Sequence, residues 1–398
     1  MPTLIPFFDK AGHQVAKLRT RYPSSPRYAA WKLALWAAGK ALSGKITGEI
    51  CHTRPRHTDR FLHLAFLLRG GIGDVVLNIV WMDALIALAD CSCHVTVFTN
   101  TPKSCMEALC KQLSYVKAIH TLKTNIEFSS FDAVFDVMQN PQVKSCCEER
   151  LKHLSSPLRD YVLRLIGFQS SHSSFYLDEN QALGIHYADV MGRFRRGQAD
   201  FDGSLGLKDS TFIFQAPLSR EELARRFGLP AVYFTIQREA GAYAESTKLW
   251  AIAKYSALAE ALCREYPAIP VVLLGLEKNF AVPQNLNERV FDLRGRTNFE
   301  EFMSLVRYSR LHTGCEGLVP HLRHYLSGGP SLVLFGPSCA RMLGYPENIA
   351  LSGTECPNGC EGILSSWQSH CLKGFSSCRS LDEISVEQVM QKVREAYR

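Results

Sequence analysis

Short, strongly apolar segments alternate with longer amphipathic segments along this chain, and this alternation constrains its fold more than any other feature. Segment 61–69 (FLHLAFLLR) is a nearly continuous apolar run, which is typical of a strand buried on both faces of a sheet. A Gly-rich turn and a helical stretch follow it, and further strands are predicted at 94–100 and 131–137. Strands that alternate with helices in this way predict a parallel sheet with helices on both faces.

A second series of the same kind begins near Ala231. Its predicted strands are VYFTIQ, VVLLG and SLVLF, and its predicted helices are 249–266, 299–309 and 384–397. Two consecutive units of this type predict an α/β chain with two Rossmann-like, parallel-sheet domains. The length of 398 residues agrees with this division, because a single hydrophobic core rarely grows so large.

The sequence divides into three regions. We expect the boundary between the two domains to lie between residues 205 and 230. The three regions are a basic helical extension over 1–58, an N-terminal domain over 59–208, and a C-terminal domain over 209–398. In the extension, segment 28–42 (YAAWKLALWAAGKAL) predicts a helix. This helix either packs on the body of the protein or forms an oligomer or membrane-interface contact, with its lysines facing anionic lipid.

Charge and composition limit the kinds of partner that the protein can bind and the cellular compartment in which it is expected. The net charge of +7 suits an anionic partner such as a nucleotide-sugar, a phosphorylated glycolipid or a membrane surface. No basic tract is long enough to predict nucleic-acid binding. We also find no signal peptide and no apolar run of the ~20 residues that span a bilayer. The fourteen cysteines therefore indicate reduced thiols or metal ligands, rather than disulfides. We expect a cytosolic protein, and peripheral contact with the inner membrane face is compatible with this expectation.

The first candidate site is the motif RGGIGD at 69–74, between a predicted strand and a predicted helix. Ligands of open α/β sheets bind outside the carboxyl ends of strands, and a helix N-terminus favours an anion. Gly73 and Asp74 are therefore candidate site residues, although Asp74 could equally serve only to cap the helix. The motif lacks the GxGxxG spacing of dinucleotide-dependent oxidoreductases and the GK[ST] of phosphate loops.

Two further constellations follow later strands. Arg238 and Lys248 lie after the strand VYFTIQ, where fixed positive charge suits a diphosphate. Glu316, Gly317 and His321 belong to TGCEGLVPH, which is followed by LFGP. A carboxylate at such a turn can accept hydrogen bonds from two ribose hydroxyls, and the histidine can reach a phosphate. Taken singly, these residues could be solvated loop charges and a buried core histidine.

Together, GGIGD, Lys-x-Trp, VVLLG-x-E and G-x-E…PH…LFGP occur in the order and approximate spacing of one family. Over residues 60–385 the chain resembles the bacterial heptosyltransferases, glycosyltransferases of family 9 that modify lipopolysaccharide cores or proteins. The resemblance implies a GT-B fold, in which two Rossmann-like domains face a deep cleft. It also implies an inverting transfer that needs no metal, with ADP-heptose held by the C-terminal domain and the acceptor by the N-terminal domain.

The resemblance also implies roles for single residues. Asp74 matches the general base that deprotonates the acceptor hydroxyl, and Lys248 matches the lysine on the donor diphosphate. Glu277 matches an acidic residue near the nucleoside, and His321 matches the family's histidine. Glu316 stands where the family usually has aspartate. The next two residues of this chain, glycine and leucine, lack the hydroxyl neighbour of the family's D-T/S-G.

This departure leaves the sugar open between heptose and another sugar carried by UDP or GDP. The acceptor is equally open between a lipopolysaccharide core and a protein Ser or Thr, and segment 140–208 is expected to shape its site. A non-catalytic scaffold of GT-B ancestry is the alternative from another class. A homo-oligomer is compatible with all of these hypotheses.

Four cysteines within 356–378 form a separate candidate metal site near the C-terminus. They are Cys356, Cys360, Cys371 and Cys378. The first pair has the spacing of structural metal knuckles, and little apolar sequence lies between the four. We expect structural zinc, or iron as the alternative, with His370 able to replace one thiolate. Some members of the resembling family have a similar cysteine pattern described as an iron-binding finger. Free thiols or two disulfides are the other interpretations.

Overall fold

A computed structural model gives the architecture of most of the chain. It describes residues 51–52, 61–89, 91–137, 141–152, 156–171, 193–196, 199–202, 212–239, 247–276, 286, 288–354, 356, 371 and 374–397. Two compact units divide these residues between Phe212 and Ile213. The helix predicted at 28–42, and the candidate residues Glu277 and Cys360, lie outside the described residues.

The N-terminal unit contains a six-stranded sheet in the order β1-β6-β5-β2-β3-β4. Its strands are β1 Cys51–His52, β2 Leu62–Leu68, β3 Cys93–Thr99, β4 Val116–Thr121, β5 Ala133–Val137 and β6 Pro141–Cys146. Its helices are α1 Ile72–Ile86, α2 Lys103–Cys110, α3 Glu148–Lys152 and α4 Ser156–Ser171, with a 3₁₀ turn at Phe128–Ser130. A short hairpin is formed by β7 Arg193–Arg196 and β8 Ala199–Asp202.

One strand pair departs from the expected parallel arrangement. Strands β2, β3, β4 and β5 are parallel to one another, but β6 runs antiparallel to β5. Only residues 138–140 connect these two strands, whereas a parallel crossover needs about a dozen residues or more. The short connection therefore fixes the direction of β6, and the sheet is mixed at this edge.

An aromatic cluster fixes α1 on this sheet. Trp81 of α1 is fully buried and packs edge-on against Phe66 of β2 and Phe135 of β5. Its indole N–H donates to the Tyr161 hydroxyl of α4 over 3.2 Å. Buried aromatic pairs of this kind contribute about 0.5–1.5 kcal/mol beyond their buried area. The start of α1, which carries the RGGIGD motif, is thereby held at the end of β2.

The C-terminal unit contains a second six-stranded sheet, entirely parallel, in the order β11-β10-β9-β12-β13-β14. Its strands are β9 Phe234–Gln237, β10 Val271–Leu274, β11 Val290–Asp292, β12 Leu311–Cys315, β13 Ser331–Phe335 and β14 Ile349–Ser352. Its helices are α5 Arg220–Phe227, α6 Ile252–Glu265, α7 Phe299–Tyr308, α8 Leu318–Tyr325, α9 Ala340–Leu343, α10 Arg379–Glu383 and α11 Val386–Ala396. The α/β class with parallel-dominated sheets is confirmed.

Local sequence signals place several of these helices. Ser219, Asn298 and Ser385 each accept the backbone N–H three residues on, at the starts of α5, α7 and α11. Such caps satisfy donors that a helix start leaves unpaired. Within the described part of the chain, no helix combines the length and apolar character needed to cross a bilayer.

Candidate active site

Polar side chains collect at the carboxyl edge of the C-terminal sheet. Lys248 lies in the loop after β9, Glu316 directly follows β12, and Ser338 lies in the loop after β13. These three strands are neighbours in the sheet. Because parallel strands end at the same edge, their following loops meet there, where ligands of open α/β sheets bind.

A buried carboxylate is the centre of this group. Glu316 Oε2 lies 2.6 Å from Lys248 Nζ, and the two side chains are only 8% and 11% exposed. The Ser338 hydroxyl donates to the same carboxylate oxygen over 2.8 Å. His321 Nε2, from the first turn of α8, lies 4.0 Å from the other oxygen, Oε1. The structure thus brings together three residues predicted from sequence, Lys248, Glu316 and His321.

Trp250 explains how Lys248 is positioned. Its side chain is fully buried, and its indole N–H donates to the carbonyl of Ile384 over 2.9 Å. Its backbone N–H contacts Cys315 Sγ, at the end of β12, at 3.4 Å. The Lys-x-Trp motif therefore combines a structural anchor with a charged side chain two residues earlier.

The glycine of LFGP allows the loops to approach each other. A Cβ added to Gly336 would lie 3.0 Å from the carbonyl oxygen of Thr247 and 2.9 Å from Leu381 Cδ1. The distance to Thr247 is tighter than nine in ten contacts of real Cβ atoms, and Thr247 directly precedes Lys248. A larger residue at Gly336 would therefore press on the loop that carries the lysine, which would have to move by a few tenths of an ångström.

The charge states of the site follow from burial and neighbours. Burial alone raises the pKa of the Glu316 carboxyl, but Lys248 and the hydrogen bonds outweigh it, so that this pKa lies below its ordinary value. Burial lowers the pKa of His321 to about 4, against partial opposition from the Glu316 carboxylate. At pH 7 the site therefore contains an ionised glutamate and a neutral histidine.

Arg238 and Gly317 lie at the same edge. Arg238 begins the loop after β9 and is partly buried, and Gly317 separates Glu316 from the start of α8. The residue after the arginine, Glu239, accepts the backbone N–H of Leu276 over 3.1 Å. Glu239 thereby joins the ends of β9 and β10, and it was not predicted from the sequence.

In the N-terminal unit, Asp74 lies in the first turn of α1, next to Gly73. Its Oδ2 accepts the backbone N–H of Gly71 over 2.8 Å, so the carboxylate caps the helix. Gly70 has a φ of +97°, and a Cβ there would lie 2.6 Å from Asp74 Oδ2. Glycine is required at this position for both reasons, and the motif fixes the direction of the Asp74 side chain.

Asn78, one turn further along α1, was also not predicted as a site-forming residue. It is fully buried, and its amide donates to the carbonyls of Arg69 over 3.1 Å and Val137 over 3.2 Å. These carbonyls belong to the ends of β2 and β5. Arg69 itself contacts Asp136 with Nε 2.6 Å from Oδ1. The loop that leads to Asp74 is therefore anchored at its base.

Three of the four predicted metal ligands are described. Cys356 and Cys378 are buried, and Cys371 is partly exposed. Burial raises the pKa of the Cys378 thiol to about 11, and the neighbouring thiols of Cys356 and Cys371 add to the rise. Among the described residues, no three His, Cys, Asp or Glu side chains form a group that could hold a metal.

Ser338 and Tyr345 complete the site and were absent from the sequence-based prediction. Ser338 follows LFGP directly, so the strand–loop pattern could have indicated it. The Tyr345 hydroxyl lies 2.8 Å from His321 Nδ1, although the two residues are 24 positions apart. No spacing rule predicts that contact, because it depends on the path of the loop after α9.

Comparison with known proteins identifies the fold. No family model and no curated protein sequence matches the chain. Among solved structures, E. coli ADP-heptose lipopolysaccharide heptosyltransferase II is 14% identical over 84% of this chain and 98% of its own, with a TM-score of 0.53. TibC, an iron-containing dodecameric glycosyltransferase of enterotoxigenic E. coli, is 14% identical over 88% and 78%, with a TM-score of 0.50. The predicted resemblance is confirmed for the fold: this chain has the GT-B fold of the heptosyltransferases.

Proposed function

We propose that this protein is an inverting glycosyltransferase that moves a sugar from a nucleoside diphosphate to an acceptor hydroxyl. The observation that carries the proposal is the buried group of Lys248, Glu316 and His321 at the carboxyl edge of a parallel sheet. A buried ion pair is costly to maintain for stability alone. Its place at the ligand-binding edge of this fold supports a role in donor binding.

In this proposal the C-terminal unit stabilises the leaving group. Lys248 supplies fixed positive charge near the departing diphosphate, with Arg238 as a second cation at the same edge. Glu316 holds the lysine in place through the 2.6 Å contact, and its other oxygen is turned toward His321. Charge that is positioned before the reaction stabilises a developing anion without reorganisation.

Asp74 is the proposed general base. Inversion requires one displacement, with the acceptor oxygen and the diphosphate on opposite faces of the anomeric carbon. One carboxylate within hydrogen-bond reach of the acceptor hydroxyl can remove its proton. The hydrogen bond from Gly71 to Oδ2 fixes the Asp74 side chain, which supports such a role.

ADP-heptose is the donor that we propose first, with a lipopolysaccharide core or a protein hydroxyl as acceptor. The support is the fold, since one solved structure with the same fold is an ADP-heptose lipopolysaccharide heptosyltransferase. Glu316 differs from the aspartate of the resembling family by one methylene. A sugar other than heptose, or a UDP or GDP donor, is therefore the alternative that the test must separate.

Thermal unfolding with ADP, UDP, GDP, CDP and NAD tests the donor class on the wild type and on Glu316→Ala. A ligand at about 100 times its dissociation constant stabilises a protein by about 2.7 kcal/mol. Selective stabilisation by ADP that is lost in the variant supports an ADP-sugar, and transfer from ADP-heptose is then assayed directly. Stabilisation by UDP or GDP instead would contradict the hypothesis that ADP-heptose is the donor. If no nucleotide has an effect, a non-catalytic scaffold becomes the better hypothesis.

We further propose that Cys356, Cys360, Cys371 and Cys378 bind one structural metal, zinc or iron. The support is the spacing of the four cysteines in the sequence, since the three described thiols do not by themselves form a group that could hold a metal. The complete set requires Cys360, which lies outside the described residues. A metal bound by four thiolates would stabilise the loops before α10 and take no part in the transfer.

A further inference from the structure

Tyr345 is buried beside the proposed donor site but belongs to none of the motifs recognised in the sequence. Its hydroxyl lies 2.8 Å from His321 Nδ1, and the two rings are nearly perpendicular, at 82°. Both side chains are only 4% exposed. The tyrosine therefore contacts the side of the imidazole that faces away from Glu316.

The surroundings of Tyr345 hold its hydroxyl in one place. Its ring stacks on His324 with centroids 3.9 Å apart and planes 13° apart. His324 Nδ1 in turn lies 2.8 Å from Glu347 Oε1. On another side, the Tyr325 ring meets the Tyr345 ring edge-on, with centroids 6.2 Å apart. A side chain packed on so many sides has little rotamer freedom, and its hydroxyl is a fixed partner for His321.

The hydrogen bond between the Tyr345 hydroxyl and His321 Nδ1 can form in either direction. Burial raises the pKa of Tyr345 well above its ordinary value, so the proton stays in place. If Tyr345 donates to His321 Nδ1, the ring proton of the neutral histidine must be on Nε2. If His321 Nδ1–H instead donates to the Tyr345 oxygen, the ring proton is on Nδ1 and Nε2 carries a lone pair.

The Glu316 carboxylate distinguishes these arrangements. Its Oε1 lies 4.0 Å from His321 Nε2, which is too long for a hydrogen bond but short for an electrostatic interaction in a buried site. A lone pair directed at this negative charge is repelled, whereas an N–H is attracted. The carboxylate therefore favours the proton on Nε2, with the Tyr345 hydroxyl donating to His321 Nδ1 over 2.8 Å.

We propose that Tyr345 is a positioning residue that holds His321 in the Nε2–H tautomer, with this N–H directed to the Glu316 side of the site. There the N–H donates to an oxygen of the bound donor, a step that rests on the proposed function. The histidine thus acts as a neutral hydrogen-bond donor and adds no charge to the site.

The tautomer is measured by NMR of ¹⁵N-histidine-labelled protein at pH 7 without any nucleotide. His321→Gln identifies the signals of His321. In the wild type we expect a bare Nδ1 and a protonated Nε2. In Tyr345→Phe we expect a larger fraction with the proton on Nδ1, because only the Glu316 carboxylate then favours the Nε2–H form. Tyr233→Phe is the matched control, because it also removes the hydroxyl of a buried tyrosine in this unit, one that donates to the carbonyl of Leu305 over 3.0 Å.

A wild-type ring with its proton on Nδ1 would overturn the proposal, and so would a tautomer that Tyr345→Phe leaves unchanged. Binding of the donor nucleotide-sugar is the second readout. If Tyr345→Phe weakens the neutral hydrogen bond from His321 to the donor, we expect the affinity for the donor to fall about 3- to 10-fold. For Tyr233→Phe we expect a loss of less than about 2-fold. An equal affinity for both variants would refute the contact with the donor. If the protein shows the expected tautomer but binds no nucleotide, the positioning role of Tyr345 is supported and the proposed function is refuted.

Discussion

Lys248 Nζ lies 2.6 Å from Glu316 Oε2 in a contact that leaves the two side chains only 11% and 8% exposed. Water cannot stabilise either charge to its usual extent there, so each depends on the other. The pair of Lys392 and Glu395 has the same separation of 2.6 Å, but its side chains are 38% and 44% exposed. These two pairs differ in burial rather than distance, which makes the exposed one a direct control.

Lys248→Met leaves a buried carboxylate without its countercharge. We expect the free energy of unfolding to fall by about 3–5 kcal/mol, as when other buried pairs lose one partner. Lys392→Met breaks the exposed pair, and we expect a change below about 1 kcal/mol. Urea unfolding of both variants at pH 7 measures the difference.

A double variant that removes both charges complements the single variant. Lys248→Met combined with Glu316→Gln should regain much of the stability lost in the single variant, because no unpaired charge remains. Equal losses for Lys248→Met and Lys392→Met would mean that solvent reaches Glu316 freely.

Asp74 offers a way to separate helix capping from catalysis. Asp74→Asn keeps an oxygen that can accept the Gly71 N–H but cannot remove a proton. We expect the transfer rate to fall about 100- to 10,000-fold with little loss of stability. Asp74→Ala removes the cap as well and should cost a further ~1 kcal/mol of unfolding free energy. Transfer assays and urea unfolding distinguish the two effects.

Ser219→Ala is the control for capping alone. Ser219 caps α5 by accepting the backbone N–H of Glu222, and α5 lies in the other unit. This variant should lose about 1 kcal/mol and retain transfer. If Asp74→Asn transferred sugar at the wild-type rate, Asp74 would be a cap and not the base.

The part of the site that could be predicted from sequence is the part that strand order determines. Lys248 and Glu316 follow strands that are neighbours in a parallel sheet, so their meeting follows from topology. Ser338 follows the next strand of the sheet, and the same rule could have predicted it. Tyr345 was not, because its contact with His321 depends on how the loop after α9 returns over α8.

The same distinction applies to the fold. Buried runs such as 61–69 indicate strands whatever their direction, and the rule that strands alternate with helices then indicates parallel sheets. Strand β6 breaks that rule, because residues 138–140 are too few for a crossover. Connection length was the missing signal. The length of this connection could not be predicted from the apolar pattern, because β6 (PQVKSC) is largely polar and its first residue is not evident in the sequence.

His321 should make stability depend on pH. Its pKa is about 4 in the folded protein, against 6.5 for an ordinary histidine. Between these values the unfolded chain takes up a proton that the folded chain does not, so stability falls as the pH falls from 6.5 and the loss is complete below 4. At pH 5 the expected loss is about 2 kcal/mol. Urea unfolding at pH 7 and pH 5, on wild type and His321→Gln, measures it.

Glutamine does not titrate, so His321→Gln should lose less stability than the wild type over this interval. His120→Gln, at an exposed position of the other unit, should keep the wild-type difference. A wild-type pH dependence identical to that of His321→Gln would show that the histidine is not buried in neutral form.

The cysteine site makes a prediction about both metal content and protons. We expect about one zinc or iron per chain in the purified protein, lost in Cys378→Ser and kept in Cys146→Ser, which alters a buried cysteine of the N-terminal unit. Because burial raises the pKa of the Cys378 thiol to about 11, this thiol is protonated at pH 7 without metal. Metal binding must therefore release protons, which calorimetry detects as a heat that depends on the ionisation enthalpy of the buffer. Wild-type protein that lacks metal and releases no protons when zinc or iron(II) is added would refute the site.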